Sequence, residues 1–486
     1  MSLKIKARSK RAEVQANKER LLKKYSDTNR STDQWKTVLG LSREEYLEGL
    51  KNGDLSMRNI FKAFQFAALI KDKNTNGVVQ FVPNANEIAS YIQCNRIGIS
   101  LLDVQPCKHD CAAIKILKNH GALPLCTTNV AQQFGLSTNN PIYGQTTLWG
   151  REVGGETGGA ASMIASICND FAVGLSMDIW GSLRMASAFC GCFTLKPTYG
   201  RHLSTLGTLN SDDYVASRVA NVAGNLRVGF FTSDNGLQTD PGCVRAVLQA
   251  CTILKQNGHE VVEFPPPDMK EVTEVYLGHL HVQKMISLLN VDLASVDSLY
   301  YFYYFSLVPH YFRLQLISNF YNKNVMGIPL VYPTDMADQY LEYKNRATDL
   351  TKEYLDIWDD KCIDVLITPA ALTPAPPPEL AKKFSPLALP YISWNLMNMP
   401  AGIMPISRVT KKDIAKSNEV KLKTYNYIQE AHPIEGLPLS IQIVGRPYEE
   451  EKILYTMEFL NNFTRYNPCH DLKSDTPEVV KCENNE

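Results

Sequence analysis

A strand, a helix and a second strand follow one another within residues 227–264, and this unit constrains the fold more than any other part of the chain. The apolar run RVGFF at 227–231 predicts a short buried strand. Apolar residues then recur at spacings of three and four over residues 244–254, which predicts a helix that ends at Gly258. The run HEVVEF at 259–264 predicts the next strand. Strands that alternate with helices indicate an α/β fold, in which helices cover a sheet.

Two further regions repeat this pattern. Asp110 is placed to cap a helix that runs through residues 112–117 and stops at Gly121, and the run ALPLC at 122–126 predicts a strand after it. The run DVLIT at 364–368 predicts another strand, and a proline-rich loop follows at 374–378.

The composition is that of a globular protein with a large core, because 44% of the 486 residues are hydrophobic and 21% are charged. The 50 basic and 50 acidic residues balance, so charge gives no indication of a nucleic-acid partner. The 12 cysteines are scattered, as expected in a reduced compartment. With no signal peptide and no apolar run of about 18 residues, the sequence predicts a cytoplasmic protein, with membrane association left open.

Two segments each allow two interpretations. Residues 1–24 hold nine Lys or Arg against two Glu, which fits a solvated helix or a helix attracted to an anionic membrane. Residues 299–321 are rich in Tyr and Phe. That stretch is either a buried core helix or an apolar surface that contacts lipid or admits an apolar substrate.

The segment 154–201 is the most informative part of the sequence for function. Two glycine-rich loops bracket a short Ala-rich stretch with helical character, and glycine lets backbone N–H groups approach a ligand closely. In the second loop, residues 178–182 (DIWGS) place the hydroxyl of Ser182 directly after a run of N–H donors. Acyl transfer needs this combination, since the hydroxyl attacks a carbonyl and the N–H groups hold the oxyanion. A lone Gly-Ser pair is more often a simple turn, so the pair alone decides nothing.

Four motifs follow one another across this segment: GGETGG at 154–159, MDIWGSLR at 177–184, FCG at 189–191 and LKP at 195–197. Their order resembles the amidase signature family, in its fatty acid amide hydrolase branch. In that family the corresponding motifs are GGSSGG, TDIGGSIR, FCG and LKP. The resemblance continues in family order at 119–130, 139–146, 362–369, 398–406 and 435–447.

The resemblance implies a fold and an activity. The fold is a mixed β-sheet core surrounded by many helices, in an amidase signature domain over residues 76–470. Residues 1–75 form a basic, helical N-terminal segment, and residues 471–486 form a C-terminal tail. The activity is that of a serine hydrolase of amide bonds, acting on fatty acid amides or lipid esters. A small lipid amide is the substrate, no metal, cofactor or nucleic acid takes part, and a homodimer is left open.

The resemblance also assigns roles to residues. The nucleophile falls on Ser182, Asp178 helps to hold the loop, and Arg184 supports it. The oxyanion donors fall on the backbone N–H groups of Ile179, Trp180, Gly181 and Ser182.

The family's Ser–Ser–Lys triad is not fully present. The two serines of GGSSGG are Glu156 and Thr157 here, and an insertion lengthens the stretch between them and Ser182. Thr157 can relay a proton through its hydroxyl. Glu156 can act as a base, although a carboxylate beside an oxyanion opposes it electrostatically.

The strand that carries the family's lysine cannot be found. The segment NANEIASYIQCNR at 84–96 is followed directly by IGISLLDVQPCKHDC at 97–111, with no such strand between them. Lys108 lies too far downstream to replace the family's lysine. Loss of a general base costs about 10²–10⁴-fold in rate. A strand lost during evolution and a strand missing from the transcript would both leave this sequence. The second hypothesis is therefore a catalytically impaired relative that binds lipid or a partner chain.

Two smaller departures complete the comparison, and one further cluster can be weighed as a metal site. Trp180 replaces a glycine; a positive φ there would strain it by roughly 1–2 kcal/mol, and its indole would crowd the acyl site. The connection between Arg201 and Arg227 is shorter than in the family. The cluster Cys107, His109 and Cys111 has the wrong spacing for a zinc ribbon, which favours a structural interpretation.

Overall fold

The computed structural model describes most of the chain, in thirteen pieces. These are 3–26, 37–81, 112–131, 136–140, 142–167, 172–201, 224–234, 238–282, 336–381, 385–419, 431, 433–464 and 466. Within these ranges, no helix combines the length and the apolar character needed to cross a membrane.

A six-stranded mixed sheet forms the centre of the fold. Its strands are β7 (Thr194–Lys196), β8 (Arg227–Phe230), β9 (Glu260–Glu263), β10 (Val365–Pro369), β11 (Ala401–Arg408) and β12 (Pro438–Gly445). Their order is β7-β11-β12-β10-β8-β9. The pairs β10–β8 and β8–β9 are parallel, whereas β12 runs antiparallel to β10 and β11, and β11 to β7. The mixed sheet expected from the sequence is confirmed.

Six short strands lie outside this sheet in antiparallel pairs. They are β1 (Val78–Phe81), β2 (Cys126–Thr128), β3 (Asn139–Asn140), β4 (Gly144–Gln145), β5 (Thr147–Leu148) and β6 (Arg151–Glu152). The pairs are β1–β2, β3–β4 and β5–β6.

The described helices surround the sheet. They are α1 (Leu3–Ser26), α2 (Arg43–Asn52), α3 (Met57–Thr75), α4 (Ala112–Asn119), α5 (Gly158–Ile167), α6 (Ser182–Cys190), α7 (Pro241–Gln256), α8 (Met269–Val282), α9 (Met336–Asp360), α10 (Pro378–Ala381), α11 (Leu389–Leu396), α12 (Lys411–Glu419) and α13 (Glu450–Thr464). A 3-10 turn at Ser385–Ala388 precedes α11.

The core lies where α6, α7 and α13 pack on the middle strands. Every residue of β10 and of β12 is buried, as expected for strands that are covered on both faces. The predicted helix over 244–254 is α7, whose N-cap Asp240 accepts a hydrogen bond from the Gly242 N–H at 2.8 Å. The predicted strands at 227–231 and 364–368 are β8 and β10, each within one residue.

The strand predicted at 122–126 is wrong in position. The observed strand, β2, begins at Cys126 and pairs with β1 through residues 126–128. Pro124 interrupts the predicted run, and a proline has no N–H to donate to a ladder. The proline-rich loop predicted at 374–378 ends earlier than expected, because Pro378 opens α10 as its first residue.

The N-terminal helices are joined to the rest of the fold. The helix predicted within 1–24 is α1, which packs through Tyr25 on α3, and Lys18 of α1 forms an ion pair of 2.6 Å with Asp72 of α3. Helix α3 in turn packs against α5, the helix that follows the first glycine-rich loop. The Ala-rich stretch expected to be helical is this α5.

Candidate active site

Ser182 is the first residue of α6 and is fully buried. The N-cap is Gly181, with a φ of +79°. A Cβ on Gly181 would lie 2.1 Å from the Cβ of Tyr391, so only glycine fits between the loop and α11. Within the described part of the chain, the Oγ of Ser182 has no hydrogen-bond partner. The hydroxyl therefore stands at the positive end of a helix dipole without a local acceptor.

Trp180 does not adopt the conformation considered for it. The left-handed residue of this loop is Gly181, and Trp180 is not among the described residues with positive φ. The condition for backbone strain at Trp180, a positive φ, is therefore not met. Its indole is half-buried and packs edge-on against the ring of Tyr276, with 5.5 Å between the centroids.

An ion pair closes the loop that precedes Ser182. The guanidinium of Arg184 lies 2.7 Å from the carboxylate of Asp178, and the Arg184 backbone N–H donates to the same carboxylate at 3.0 Å. Arg184 is completely buried, and it also donates to Gln442 Oε1 at 2.9 Å and to the Tyr391 carbonyl at 3.1 Å. Its guanidinium lies 5.3 Å from the centre of the Tyr391 ring. Asp178 and Arg184 thus hold the loop, and neither bonds to the Ser182 hydroxyl.

The backbone of this loop is held through its carbonyls. The side-chain amide of Asn395 donates to the carbonyls of Asp178 and Ile179, the latter at 2.8 Å, and the hydroxyl of Tyr276 also donates to the Ile179 carbonyl. In the part of the chain that the structure describes, the N–H groups of residues 179–182 donate to no protein acceptor. Four successive N–H donors are therefore available immediately before and at Ser182.

The first glycine-rich loop lies against Ser182. A Cβ on Gly155 would lie 2.7 Å from the Ser182 Cα, so the two backbones can approach this closely only because residue 155 is glycine. Thr157 donates from its hydroxyl to the Ser182 carbonyl at 3.0 Å. Glu156 is buried, and its own carbonyl accepts the Ala131 N–H at 3.3 Å. The structure thus brings Glu156, Thr157 and Ser182 together.

A second buried carboxylate, Glu152, organises the same loop. It accepts hydrogen bonds from the Ser137 hydroxyl at 2.6 Å and from the backbone N–H groups of Thr138, Val153 and Gly154 at 3.0–3.1 Å. Burial raises the pKa of Glu152, and these hydrogen bonds offset part of that rise. Glu152 was not identified from the sequence, because an acidic side chain before a glycine-rich loop is ordinarily solvent-exposed.

Lys196 of β7 lies within electrostatic reach of the ion pair. Burial, followed by the positive charge of Arg184, lowers the pKa of Lys196 to about 8. Its ammonium group donates to the Pro197 carbonyl at 3.1 Å. Lys196 thus has the lowered pKa expected of a base, while its hydrogen bond is made to the backbone.

Several predicted features lie outside the described residues. They include the junction at 84–111 with Lys108, the cluster Cys107, His109 and Cys111, and the aromatic stretch 299–321. Among the residues that are described, no group of three or more His, Cys, Asp or Glu side chains is arranged to hold a metal ion.

Comparison with known proteins identifies the family. The chain matches the amidase family over residues 95–214 and 202–454. The chain belongs to the amidase family. It is 23% identical to fatty acid amide hydrolase 1 of Caenorhabditis elegans, over 94% of this chain and 93% of that protein. It is 24% identical to fatty-acid amide hydrolase 1 of Sus scrofa, over 86% of this chain and 85% of that protein.

Solved structures confirm the amidase fold. A fatty acid amide hydrolase superposes with a TM-score of 0.65 and 18% sequence identity, over 90% of this chain and 87% of that one. The α/β fold and the family resemblance predicted from the glycine-rich motifs are both confirmed. As an amidase, the protein belongs to the hydrolases of carbon–nitrogen bonds in amides.

Gln442, Asn395 and Tyr276 were not identified from the sequence. Gln442 does carry a recognisable pattern, because it is a lone amide inside the apolar run LSIQIVG and buried polar groups need partners. Asn395 and Tyr276 carry no such pattern, since each lies in a helix that also contains other polar residues.

Proposed function

We propose that this amidase hydrolyses fatty acid amides, with Ser182 as its nucleophile. The observation that supports this most strongly is the position of Ser182, which begins α6 and is the last of four successive residues, 179–182, whose backbone N–H groups are available as donors. The carbonyls of Asp178 and Ile179 are held by side chains on α8 and α11. This arrangement suits a site that stabilises negative charge on a carbonyl oxygen.

In the proposed reaction, Ser182 Oγ attacks the amide carbonyl carbon and gives up its proton to a base. The carbonyl oxygen becomes an oxyanion, which the N–H groups of residues 179–182 bind. When the intermediate collapses, the carbon–nitrogen bond breaks, the amine leaves with the proton from the base, and an acyl ester remains on Ser182. Water, deprotonated by the same base, then releases the fatty acid and restores the hydroxyl.

Glu156 and Thr157 are the proposed proton carriers. Both are buried in the loop whose Gly155 contacts Ser182, and Thr157 already bonds to the Ser182 backbone. We assign Glu156 the role of general base. Thr157 either relays the proton from Ser182 to Glu156 or holds Glu156 in position. Glu156 takes the proton while the oxyanion forms, so the carboxylate is neutralised at the moment when its charge would oppose that of the oxyanion.

The proposed substrate class is supported by two relatives, which are named fatty acid amide hydrolases. The aromatic stretch 299–321 fits the same proposal as an apolar surface beside the substrate entrance. With the basic helix α1, it would give the protein reversible contact with membranes where such amides are dissolved.

The alternative proposal is a protein that binds lipid or a partner chain without hydrolysis. Two observations favour it. Glu156 and Thr157 replace the two serines expected from the family motif. No described group bonds to the Ser182 hydroxyl. A serine without a base is a poor nucleophile.

Covalent labelling with a fluorophosphonate probe separates the two proposals, since it reports only whether a serine is activated. The wild type, Ser182→Ala and a matched control, Ser187→Ala, would be compared by mass spectrometry. Ser187 lies on the same helix and donates to the Leu183 carbonyl at 2.9 Å. If the protein is a hydrolase, the probe should label the wild type and Ser187→Ala but should not label Ser182→Ala. Labelling of the Ser182→Ala variant would refute the assignment of Ser182 as the nucleophile. An unlabelled wild type would support the proposal that the protein binds lipid or a partner chain without hydrolysis.

A further inference from the structure

Two side chains that are distant in sequence meet at one peptide group of the loop before Ser182. Tyr276 lies on α8 and Asn395 on α11, and both donate hydrogen bonds to the carbonyl oxygen of Ile179. Both side chains are largely enclosed, Tyr276 being only 7% exposed. A carbonyl oxygen has two lone pairs, so this one is fully used.

The orientation of the Asn395 amide is determined by its neighbours. Its Oδ1 accepts from the guanidinium of Arg184, a group that can only donate. The Nδ2 must therefore point the other way, toward the carbonyls of Asp178 and Ile179. The two O and N positions of an amide are often ambiguous, and here the arginine removes the ambiguity.

The fixed carbonyls determine where the N–H groups point. In a trans peptide, the C=O and the N–H of the same unit point to opposite sides, and every peptide bond of the described residues is trans. Because the carbonyl of Ile179 points at Tyr276 and Asn395, the N–H of Trp180 points away from them. The Asp178 carbonyl fixes the N–H of Ile179 in the same way. Both donors therefore face away from α8 and α11.

We infer that Tyr276 and Asn395 are positioning residues, which orient the N–H groups of Ile179 and Trp180 toward the oxyanion. This inference rests on the proposed function. Neither side chain touches the reacting atoms; each acts through a carbonyl on the opposite side of the peptide. An oxyanion hole needs donors that do not reorient during the reaction, and two bonds to one carbonyl supply that rigidity.

Tyr276 allows a clean test, because its ring and its hydroxyl have separate contacts. The ring packs edge-on against Trp180, whereas the hydroxyl donates to Ile179. Tyr276→Phe keeps the ring and removes only the hydroxyl. The matched control is Tyr354→Phe, since Tyr354 is also buried and donates to a backbone carbonyl, that of Pro265, at 3.1 Å. Both variants lose one buried hydrogen bond of the same kind.

Steady-state kinetics on a fatty acid amide would compare the three proteins. Tyr276→Phe should lower kcat about 3- to 10-fold with little change in KM, since the lost orientation matters only in the transition state. Tyr354→Phe should leave both parameters near the wild-type values. Equal kcat in Tyr276→Phe and the control, from a wild type that is active, would overturn the inference and leave the proposed function intact.

A spectroscopic measurement tests the inference independently of enzymatic activity. Protein labelled with 15N-tryptophan carries five Trp residues, and the Trp180 amide is assigned from a Trp180→Phe sample. A hydrogen bond to the Ile179 carbonyl deshields the Trp180 amide nitrogen, so that resonance should move upfield in Tyr276→Phe and stay in place in Tyr354→Phe. An unmoved Trp180 resonance would show that the hydroxyl does not hold this peptide. A shifted Trp180 resonance in a protein that the fluorophosphonate probe does not label would support the inferred hydrogen bond and contradict the hydrolase proposal.

Discussion

The hydroxyl of Thr157 donates a hydrogen bond to the backbone carbonyl of Ser182, with 3.0 Å between the two oxygens. This bond joins the two glycine-rich loops directly at the proposed nucleophile. It also means that the residue replacing a family serine is used for backbone contact in this structure. Whether its proton also moves during catalysis can be tested by substitution.

Thr157→Val should lower the rate of probe labelling by about 3- to 10-fold if the bond only positions Ser182, and by about 10²-fold or more if the hydroxyl relays a proton. Valine keeps the shape and loses the hydroxyl. Thr157→Ser should restore most of the rate in either case. Equal rates for the valine variant and the wild type would show that the hydroxyl does neither.

Glu156→Gln should lower hydrolysis by about 10²–10⁴-fold, because it removes the proposed base while keeping nearly the same volume. The measurement is kcat on an amide substrate, with thermal unfolding to confirm that the variant is folded. Glu263→Gln, at an exposed glutamate of β9, is the control. A folded Glu156→Gln protein with wild-type kcat would exclude Glu156 as the base.

Trp180→Gly should increase hydrolysis of bulky acyl amides by relieving crowding from the indole. Backbone strain makes no contribution, since Trp180 is not in a left-handed conformation. Glycine adds backbone freedom next to Gly181, so Trp180→Ala is the companion variant. A rate in Trp180→Ala that is unchanged or lower, in a folded protein, would mean that the indole does not limit the site.

Lys196 should make stability depend on pH in a defined window. Because burial and Arg184 lower its pKa to about 8, the folded state loses this proton before the unfolded state, whose lysines titrate near 10.4. Between about pH 8 and 10.4 the unfolded state binds more protons, so the free energy of unfolding rises with pH. The rise amounts to at most about 3 kcal/mol, and solvent screening reduces it.

The comparison that isolates this effect is urea denaturation of the wild type and Lys196→Met at pH 7 and pH 10.5, with thiols reduced. The free energy of unfolding of the wild type should increase relative to that of the variant between the two pH values. Lys255→Met, at an exposed lysine of α7, should show no such difference. A pH-independent difference between the wild type and Lys196→Met would contradict the lowered pKa.

Membrane binding should depend on the aromatic stretch 299–321. Vesicle sedimentation would compare the full chain with a triple variant in which Tyr303, Phe305 and Phe312 are changed to Ser. We expect weaker binding by the variant, partial loss of binding at high salt, and a larger drop in activity on long-chain than on short-chain amides. Equal sedimentation of the two proteins would show that the stretch belongs to the core.

The sequence predicted the parts of this molecule that depend on local patterns. The period of the apolar residues located α7, and the continuous apolar runs located β8 and β10. The glycines around Ser182 were recognised as residues that permit close backbone contact, and a Cβ on Gly181 would lie only 2.1 Å from the Cβ of Tyr391. The helix, the strands and the glycine positions each depend on residues that are close in sequence or on a single contacting side chain.

The side chains that hold the loop could not be predicted in the same way. Tyr276 lies 97 positions and Asn395 lies 216 positions from Ile179, so their contact depends on how α8 and α11 pack. The buried carboxylate of Glu152 likewise depends on tertiary partners, since Ser137, Gln145 and three backbone N–H groups donate hydrogen bonds to it. Such contacts are decided by tertiary packing, which overrides the ordinary preference of each residue type for solvent.

The buried Arg184 has a consequence for how the protein is made. Its partners are Asp178, Tyr391, Asn395 and Gln442, the last of which lies in the final strand of the central sheet. While the chain is being synthesised, the complete Gly-Ser motif leaves the ribosome about 260 residues before Gln442 does. A nascent chain that stops short of Gln442 would carry every residue of the motif, including Asp178, and still leave the Arg184–Gln442 bond unmade. The full set of hydrogen bonds around Arg184 can therefore form only after the last strand of the central sheet has been synthesised.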